Sequence, residues 1–272
     1  MGWRYRLDLE YDGAGFAGWQ VQPDRRTVQG TLEELLGRLG ERGRPTGAGR
    51  TDAGVHALAN VAHLDLEREW EADELGRALG ALAPEDLRIA AVRRVDGTFH
   101  ARFDAMARSY LYALGRAEDP FWRKRRWAPG ELPDPAWAKR ELAGLAGERD
   151  CASLARAQAE VTSTRCVLRE LAWRPREEGA LLAVEADRFL WGMVRTLVGT
   201  LLEGWRRREA GGYLLRVLER RDRQAAAAPA PPGGLYLAGV RYPGEDAVDR
   251  ADHVARLAGL GRDTQAKETG RS

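Results

Sequence analysis

The spacing of apolar residues along the chain switches repeatedly between the period of a strand and that of a helix, which strongly constrains the fold. From Arg4 to Tyr11 every second residue is apolar or aromatic, a pattern typical of a half-buried strand. Val28 to Leu39 repeats its apolar residues at helical spacing after Thr27, a residue type that caps helices. The same patterns predict a helix at 72–82 and extended segments at 58–66, 87–95 and 99–114.

The second half of the chain repeats this order of segments. We predict helices near 135–147, 190–203 and 213–221, and strands near 166–173, 180–186 and 235–242. Such an order favours an α+β fold with helices packed on a sheet. We expect an N-terminal half at 1–105, a C-terminal half at 106–245, and a polar, poorly ordered tail at 246–272.

One short polar segment stands between two apolar runs: Gly49-Arg50-Thr51-Asp52-Ala53-Gly54-Val55-His56. It puts one carboxylate, Asp52, close to the guanidinium of Arg50. The two glycines that flank them let another molecule come close to the main chain. An ordinary solvated turn, in which Asp52 bonds its own backbone, would use similar residue types. The segment alone therefore fits either a catalytic loop or a turn.

The octet resembles the signature of the TruA family of tRNA pseudouridine synthases, in which these residues surround the catalytic aspartate. Further matches run in family order from about residue 3 to residue 243: Glu10-Tyr11-Asp12-Gly13, Gly18-Trp19-Gln20, Thr27-Val28-Gln29, Phe99-His100-Ala101-Arg102, Arg108-Ser109-Tyr110-Leu111-Tyr112, Phe189-Leu190, Met193-Val194-Arg195 and Gly234-Leu235-Tyr236-Leu237. The resemblance implies a pseudouridine synthase fold of two ferredoxin-like halves. These halves would share a long mixed, mainly antiparallel sheet, with helices packed on it and a central active-site cleft.

The resemblance also implies an activity. The chain would isomerise uridine to pseudouridine at positions 38, 39 and 40 of the tRNA anticodon stem-loop, as a homodimer and without a metal or nucleotide cofactor. Asp52 would be the nucleophile, either at C6 of the base or in assistance at C1′ of the ribose. Tyr110 would stack on the base and take part in proton transfer, and Leu235 would cover the other face. Arg195 would form an ion pair that keeps Asp52 charged.

Several further residues would bind the RNA. Arg50 would hold the target nucleotide once it leaves the stem, as modification of a paired base requires. His56 would support the loop. The remaining substrate-binding candidates are Phe99, His100, Ala101, Arg102 and Phe103. Arg123 to Arg126, between two tryptophans, could add phosphate and stacking contacts, although a short basic run is usually a solvated loop.

Each of these residues also has a purely structural interpretation. Arg195 lies at the edge of the apolar stripe of an amphipathic segment, where an arginine is usually solvated. Tyr110 and Tyr112 point to one face of a strand, which is most often core packing. The sequence also departs from the family: Gly192, preceded by Trp191, stands where a histidine often precedes Met193, and Gln158-Ala159-Glu160-Val161 is poor in hydrogen-bond donors for RNA.

Composition excludes several other classes of protein. The formal charge of +2 argues neither for nor against nucleic acid, and the excess of arginine among the 43 basic residues fits GC-rich coding. Two cysteines are too few for a disulfide framework, and the four histidines lack metal spacing. Without a signal segment or a membrane-length apolar run, we expect a cytoplasmic protein.

Two other functions compete with the isomerase. A noncatalytic RNA-binding protein could keep the same fold, although the full set of candidate residues argues against it. An aspartate-dependent hydrolase would need a second carboxylate or a metal beside Asp52, and no spacing indicates either. The glycines from Gly13 to Gly18 fit a dinucleotide fingerprint, but the following residues do not open a helix.

Overall fold

The computed structural model describes residues 2–156 and 163–264 of the chain. The nine strands are β1 Trp3–Tyr11, β2 Thr46–Gly47, β3 His56–Leu66, β4 Leu87–Arg94, β5 Ala107–Gly115, β6 Gly147–Asp150, β7 Arg165–Arg176, β8 Gly179–Ala186 and β9 Leu235–Arg241. The six α-helices over the same residues are α1 Val28–Arg38, α2 Ala72–Leu82, α3 Pro135–Ala143, α4 Met193–Arg206, α5 Tyr213–Glu219 and α6 Ala251–Leu257. The fold is therefore α+β, as predicted.

The chain forms two compact units, and each contains two segments. Unit 1 consists of Met1–Met106 and Leu237–Val248, whereas unit 2 consists of Ala107–Tyr236 and the chain from Asp249 onward. The first boundary between the units lies between Met106 and Ala107. The predicted C-terminal half extends to residue 245, but the chain already returns to unit 1 at Leu237.

Unit 1 is built on a sheet with the strand order β4-β1-β3-β9, to which β2 adds beside β3. β1 pairs antiparallel with both β3 and β4. The alternating residues of β1 predicted to share one face are all buried: Tyr5, Leu7, Leu9 and Tyr11. Helix α2 packs against β4, and α1 contacts α2. The period-two pattern of β1 therefore describes a central strand with one face in the core.

Unit 2 is built on the antiparallel strand order β5-β8-β7-β6. Nearly every residue of the central strand β8 is buried, and helix α3 packs against β7. Helix α4 contributes most of its residues to the core and contacts α5. Unit 2 thus repeats the arrangement of helices on a sheet that the sequence predicted for the second half.

Local chemistry explains where the helices begin and end. Thr27 caps α1 as predicted, because its hydroxyl accepts a hydrogen bond of 3.2 Å from the backbone N–H of Gly30. Helix α2 ends just before Pro84, whose ring would clash with the preceding turn. Helix α3 begins with Pro135 directly after the capping residue Asp134. These helices follow rules that can be read from sequence.

Two predicted segments differ in the structure. Residues 99–106 form a turn at 101–104 with irregular backbone on either side, so the extended segment predicted at 99–114 begins only at Ala107. Helix α4 begins at Met193 and not at residue 190. Gly192, directly before it, has a φ of +74°, which is outside the helical region and favours glycine.

The tail also differs from the expectation over its described part. Residues 249–264 contain helix α6, with Val254 and Ala255 buried and Leu260 fully buried. Arg174 pairs with Asp249, and Arg176 with Asp252, so polar residues that indicated a solvated tail instead pair with β7. The described tail is an ordered part of unit 2. Residues 265–272 of the predicted tail lie outside the described residues.

Candidate active site

The first seven residues of the octet lie in the loop between β2 and β3, and the eighth, His56, begins β3. Two hydrogen bonds from Asn60 on β3 hold the beginning of the loop. Asn60 Oδ1 accepts from the N–H of Gly49 at 3.2 Å, and Asn60 Nδ2 donates to the Gly49 carbonyl at 3.0 Å. Asn60 is fully buried, so these bonds are shielded from water. The loop therefore leaves the sheet in a fixed direction.

Tyr11, at the end of β1, extends this network to the residue before Asp52. Its hydroxyl accepts from Asn60 Nδ2 at 3.1 Å and lies 2.9 Å from the hydroxyl oxygen of Thr51. Burial raises the pKa of Tyr11 to about 12, although its bonds to Thr51 and Asn60 oppose the shift. The phenol thus stays protonated near neutral pH and can serve as both donor and acceptor.

Backbone hydrogen bonds hold the loop on both sides of Asp52. The Thr51 carbonyl accepts from the N–H of Trp19 at 3.0 Å, and the N–H of Gly54 donates to the Phe16 carbonyl at 3.2 Å. Gly18 approaches so closely that a Cβ there would lie 2.8 Å from the Thr51 oxygen, and its φ is +98°. Only glycine suits that position. The segment between β1 and α1 therefore supports the loop that carries Asp52.

The two charged residues of the loop differ in exposure. Arg50 is exposed, whereas Asp52 is half-buried between the buried Thr51 and the exposed Ala53. The Asp52 carbonyl accepts from the N–H of Val55 at 3.1 Å, which closes a tight turn after the carboxylate. The structure thus brings Arg50 and Asp52 together on one short loop of unit 1.

His56 lies at the start of β3 and is 3% exposed. Its Nδ1 accepts a hydrogen bond of 3.1 Å from the N–H of Gly13, and Asp12 Oδ1 lies 3.0 Å from the same nitrogen. Only one of these contacts can be a hydrogen bond at a time, because Nδ1 accepts when neutral and donates when protonated. Both contacts join the start of β3 to the residues that directly follow β1.

The segment 99–103 is held by His63 on β3 and by Tyr242, which directly follows β9. Ala101 is fully buried; its N–H donates to His63 Nδ1 at 3.1 Å and its carbonyl accepts from the Tyr242 hydroxyl at 2.6 Å. Arg102 is exposed, and Phe103 is 74% exposed. Ala101 also shares a core cluster with Ala48, which lies at the base of the octet loop. The segment therefore presents two side chains outward from unit 1.

Aromatic contacts fix the remaining residues of this segment. The rings of His100 and Phe103 stack with centroids 4.2 Å apart, and His63 lies against His100 at 4.6 Å. The ring of Phe99 packs against Tyr242 at 5.2 Å. His100 Nδ1 also accepts from the backbone N–H groups of Arg102 and Phe103, both at 3.2 Å. His100 thus holds the turn that carries the two exposed residues.

The other candidates belong to unit 2. Tyr110 on β5 is 9% exposed, and its ring meets Phe189 edge to face with centroids 4.9 Å apart. Arg195, in the first turn of α4, donates from Nε to the Ala230 carbonyl at 2.7 Å. Its own carbonyl accepts from the N–H of Ala230 at 2.9 Å. Arg195 is therefore tied at two points to the loop before β9.

The same loop positions Leu235. Tyr112 donates from its hydroxyl to the Pro231 carbonyl at 2.7 Å, and burial raises its pKa. A Cβ on Gly234 would lie 2.8 Å from the Tyr112 ring, so glycine is needed for this approach. Leu235 follows directly and is 5% exposed. Tyr112, the second tyrosine of the pair on β5, therefore positions the segment that carries Leu235.

The basic run at 123–126 is only partly available for phosphate. Arg126 donates from Nη1 to the Gly259 carbonyl at 2.7 Å and to the Ala258 carbonyl at 3.3 Å. Its guanidinium therefore holds the segment after α6, contrary to the expected phosphate contact. Arg123 and Lys124 are exposed. In the loop at 156–165, residues 157–162 lie outside the described residues, and Arg165 pairs with Glu148 at 2.9 Å.

Sequence reasoning missed the residues that support the site. Asn60 is the single asparagine of the chain and lies inside a strand, where this residue type is depleted. That anomaly could have indicated a buried hydrogen-bonding role. Tyr11, Gly18 and Trp19 lay within matched segments, but their contacts with the loop depend on the tertiary structure.

Across residues 2–156 and 163–264, no three His, Cys, Asp or Glu side chains gather in a way that could hold a metal ion.

None of the helices in the described part of the chain combines the length and the apolar character that a bilayer crossing requires.

Comparison with known proteins agrees with this fold. The profile of the family described as tRNA pseudouridine synthase matches residues 9–104 and 142–243. A protein of Cereibacter sphaeroides strain KD131 named tRNA pseudouridine synthase A is 42% identical over 256 residues, which cover 89% of this chain and 98% of the relative. Relatives with the same name occur in Latilactobacillus sakei and Cupriavidus taiwanensis, each 40% identical. Their alignments cover 88% and 93% of this chain and 98% and 96% of the relatives.

The family and the relatives define an isomerase that converts uridine to pseudouridine. The chain belongs to the tRNA pseudouridine synthase family.

Proposed function

We propose that this enzyme modifies uridines 38, 39 and 40 of the tRNA anticodon stem-loop and that Asp52 is its nucleophile. The observation that carries the proposal is the support of the octet loop on both sides of Asp52, by Trp19 through Thr51 and by Phe16 through Gly54. A nucleophile needs a position fixed to within a fraction of an ångström, because small misplacements cost large factors in rate. A solvated turn would not need two such supports.

The reaction is an internal rearrangement of the nucleotide. The bond between C1′ and N1 breaks, the uracil turns, and a new bond joins C1′ to C5. The proton that leaves C5 is balanced by the proton that N1 gains, so no electrons or atoms are exchanged with a cofactor. The Asp52 carboxylate either adds to C6 of the base or stabilises the sugar at C1′, and it is released at the end.

Residues of unit 2 supply the other roles in the proposal. Tyr110 stacks on the base through a ring held by Phe189, and its hydroxyl takes part in moving the C5 proton. Leu235 packs on the opposite face of the base. The Arg195 Nε is bonded to Ala230, and in the proposal its terminal nitrogens pair with Asp52 and favour the charged carboxylate.

Exposed residues of unit 1 are suited to the RNA backbone and to unpaired bases. Arg50 precedes Asp52 by two residues, so we assign it to the phosphate or the gap of the flipped nucleotide. Arg102 and Phe103 project from the turn at 99–103 and combine a cation with an aromatic face, a pair that suits single-stranded RNA. Ala101 and His56 are buried, so we assign them to support. From the resemblance to the tRNA pseudouridine synthase family we also expect a cytoplasmic homodimer.

The test is to incubate the purified protein with unmodified tRNA transcripts and to map pseudouridine at single-nucleotide resolution. We expect modification only at positions 38, 39 and 40, and we expect it to persist in excess EDTA once a polyamine keeps the RNA folded. Pseudouridine at other positions would overturn the proposed site in tRNA. Tight RNA binding without any product would instead support the noncatalytic alternative.

A further inference from the structure

Trp191 is the most exposed tryptophan of the chain. All nine tryptophans lie among the described residues, and eight of them are buried or half-buried, whereas Trp191 is 49% exposed. An exposed indole is a common feature of surfaces that bind aromatic partners. No contact described for the proposed reaction requires this residue.

The backbone of Trp191 is nevertheless firmly held. Its neighbour Leu190 is buried, and the N–H of Met193 donates to the Leu190 carbonyl at 3.1 Å across the turn that begins α4. The carbonyl of Trp191 accepts from the N–H of Arg156 at 2.8 Å. A ligand would therefore meet a ring attached to ordered backbone, so less conformational entropy is lost on binding.

Arg156 adds a cation to this ring. The Cζ atom of its guanidinium lies 4.2 Å from the centroid of the Trp191 ring, within the range of a cation–π contact. Arg156 is itself exposed. An aromatic face with a guanidinium beside it can bind a nucleobase by stacking and the attached phosphate by charge.

The position of this pair points to the substrate RNA. Trp191 follows Phe189, whose ring contacts the base-stacking candidate Tyr110, by two residues. Two residues of chain span at most about 7 Å. Arg195, the proposed partner of Asp52, lies four residues further on, in the first turn of α4. A nucleotide next to the target uridine would therefore come within reach of Trp191.

We propose that Trp191 and Arg156 form a stacking site for an unpaired nucleobase of the substrate, adjacent in sequence to the uridine that is modified. This inference rests on the proposed function, since it takes tRNA as the ligand. It assigns an RNA-binding role to Trp191 and Arg156, which have no part in the proposed reaction. The site binds substrate and takes no part in bond making.

The first test compares Trp191→Ala with Trp191→Phe, and Arg156→Ala with Arg38→Ala. Arg38→Ala is the matched control because it removes the same charge from an exposed position on α1. With an unmodified anticodon stem-loop RNA, we expect the Kd to rise at least about fivefold for Trp191→Ala and Arg156→Ala. Trp191→Phe and Arg38→Ala should stay within about twofold of the parent. The single-turnover rate at saturating enzyme should change little in all four variants.

The second test removes the proposed partner from the RNA. Stem-loops that carry one abasic nucleotide at each loop position in turn are titrated with the parent and with Trp191→Ala. At one position next to a target uridine, the abasic nucleotide should raise the Kd of the parent for the RNA. With that RNA, the parent and Trp191→Ala should have the same Kd. If Trp191→Ala binds intact RNA as the parent does, or if no abasic position removes the difference, the stacking site is refuted. These Kd measurements need no turnover, so failure of the proposed isomerisation would be seen separately, as absent pseudouridine.

Discussion

The hydroxyl oxygens of Tyr11 and Thr51 lie 2.9 Å apart, and this contact joins the end of β1 to the residue that precedes Asp52. Tyr11 also accepts from Asn60, which holds the beginning of the same loop. A single phenol therefore links the first strand, the third strand and the proposed nucleophile. Because the strands are rigid elements, these hydrogen bonds fix the position of the loop that carries the Asp52 carboxylate.

Replacing Tyr11 by Phe should separate this supporting role from overall stability. The change leaves the Thr51 hydroxyl and the buried Asn60 amide short of a partner, so we expect to lose about 1–3 kcal/mol of unfolding free energy. We also expect a slower single-turnover rate, because the loop that carries Asp52 loosens. Chemical denaturation and single-turnover assays on tRNA measure the two effects.

Tyr5→Phe is the matched control for this prediction. Tyr5 lies on the same strand and is equally buried, and its hydroxyl donates to the Trp70 carbonyl at 2.8 Å and accepts from the Trp70 N–H at 2.7 Å. Tyr5→Phe should lose a similar amount of unfolding free energy. Under conditions where both variants are folded, it should keep the single-turnover rate of the parent. Equal rates for the two variants would contradict the proposed link.

Asp52→Asn should abolish pseudouridine formation and change the affinity for RNA by no more than a few-fold. The amide nearly preserves the shape of the side chain but removes its nucleophilicity. Quantifying pseudouridine after long incubation, beside a binding titration with the same RNA, tests both statements. Turnover within tenfold of the parent would exclude Asp52 as the nucleophile.

For Tyr110→Phe we expect a large loss of rate with a small loss of affinity, since the ring can still stack and only the hydroxyl is gone. Tyr110→Leu should lose both, because the edge contact of this ring with Phe189 also disappears. Single-turnover rates and Kd values for the two variants distinguish the roles. An active Phe variant with a failed Leu variant would mean that stacking alone matters.

Arg50→Ala should slow the modification of a uridine in a paired stem far more than that of the same uridine in an unpaired oligonucleotide. Extrusion from the stem costs a few kcal/mol, and the second substrate does not require it. Single-turnover assays on both RNAs make the comparison. Equal losses would assign Arg50 to support of the loop and remove it from base flipping.

His63 makes stability depend on pH. Burial, together with the nearby His100 and Arg4, lowers the pKa of His63 to about 4. Between about pH 6.5 and pH 4, His63 therefore binds a proton more readily in the unfolded chain than in the folded protein. The stability that the folded protein gains from neutral His63 is lost as pH falls through this range. The slope attributable to one proton is at most about 1.4 kcal/mol per pH unit.

His63→Gln isolates this contribution from that of the carboxylates, which titrate in the same range. A glutamine can still accept from the N–H of Ala101 but does not titrate. Urea unfolding at several pH values should therefore show a shallower fall in unfolding free energy for the variant below pH 6.5. Parallel curves for the two proteins would show that His63 is not the titrating group.

The elements that the sequence predicted well are those decided by local chemistry. Helix α2 has the predicted bounds because its apolar spacing is regular and Pro84 follows its end. Strand β1 has the predicted face because side chains of a strand alternate strictly. The octet and the other matched segments were sufficient to indicate the family, since their residue types and order are specific.

The features that sequence reasoning missed depend on residues far apart in the chain. The turn at 101–104 follows from contacts of Ala101 with His63 and Tyr242, which are 38 and 141 residues away. No local pattern reports such contacts. Likewise, the support of the loop by Asn60 required the pairing of β1 with β3 to bring Tyr11 beside it. The catalytic candidates could therefore be named from sequence, whereas the residues that hold them could not.

Arg176 on β7 is 2% exposed, and its Nη1 lies 2.8 Å from Asp252 Oδ1 in α6 and 3.6 Å from Asp263 Oδ2. A shortened chain that ends at residue 245 would keep this guanidinium and lose both carboxylates. The same truncation would remove the buried side chains of Val254 and Leu260, each worth about 1.5–3 kcal/mol of apolar burial, and would uncover the surface on which they pack. Removal of the C-terminal segment to aid crystallisation or expression would therefore expose an apolar patch on unit 2 and favour aggregation.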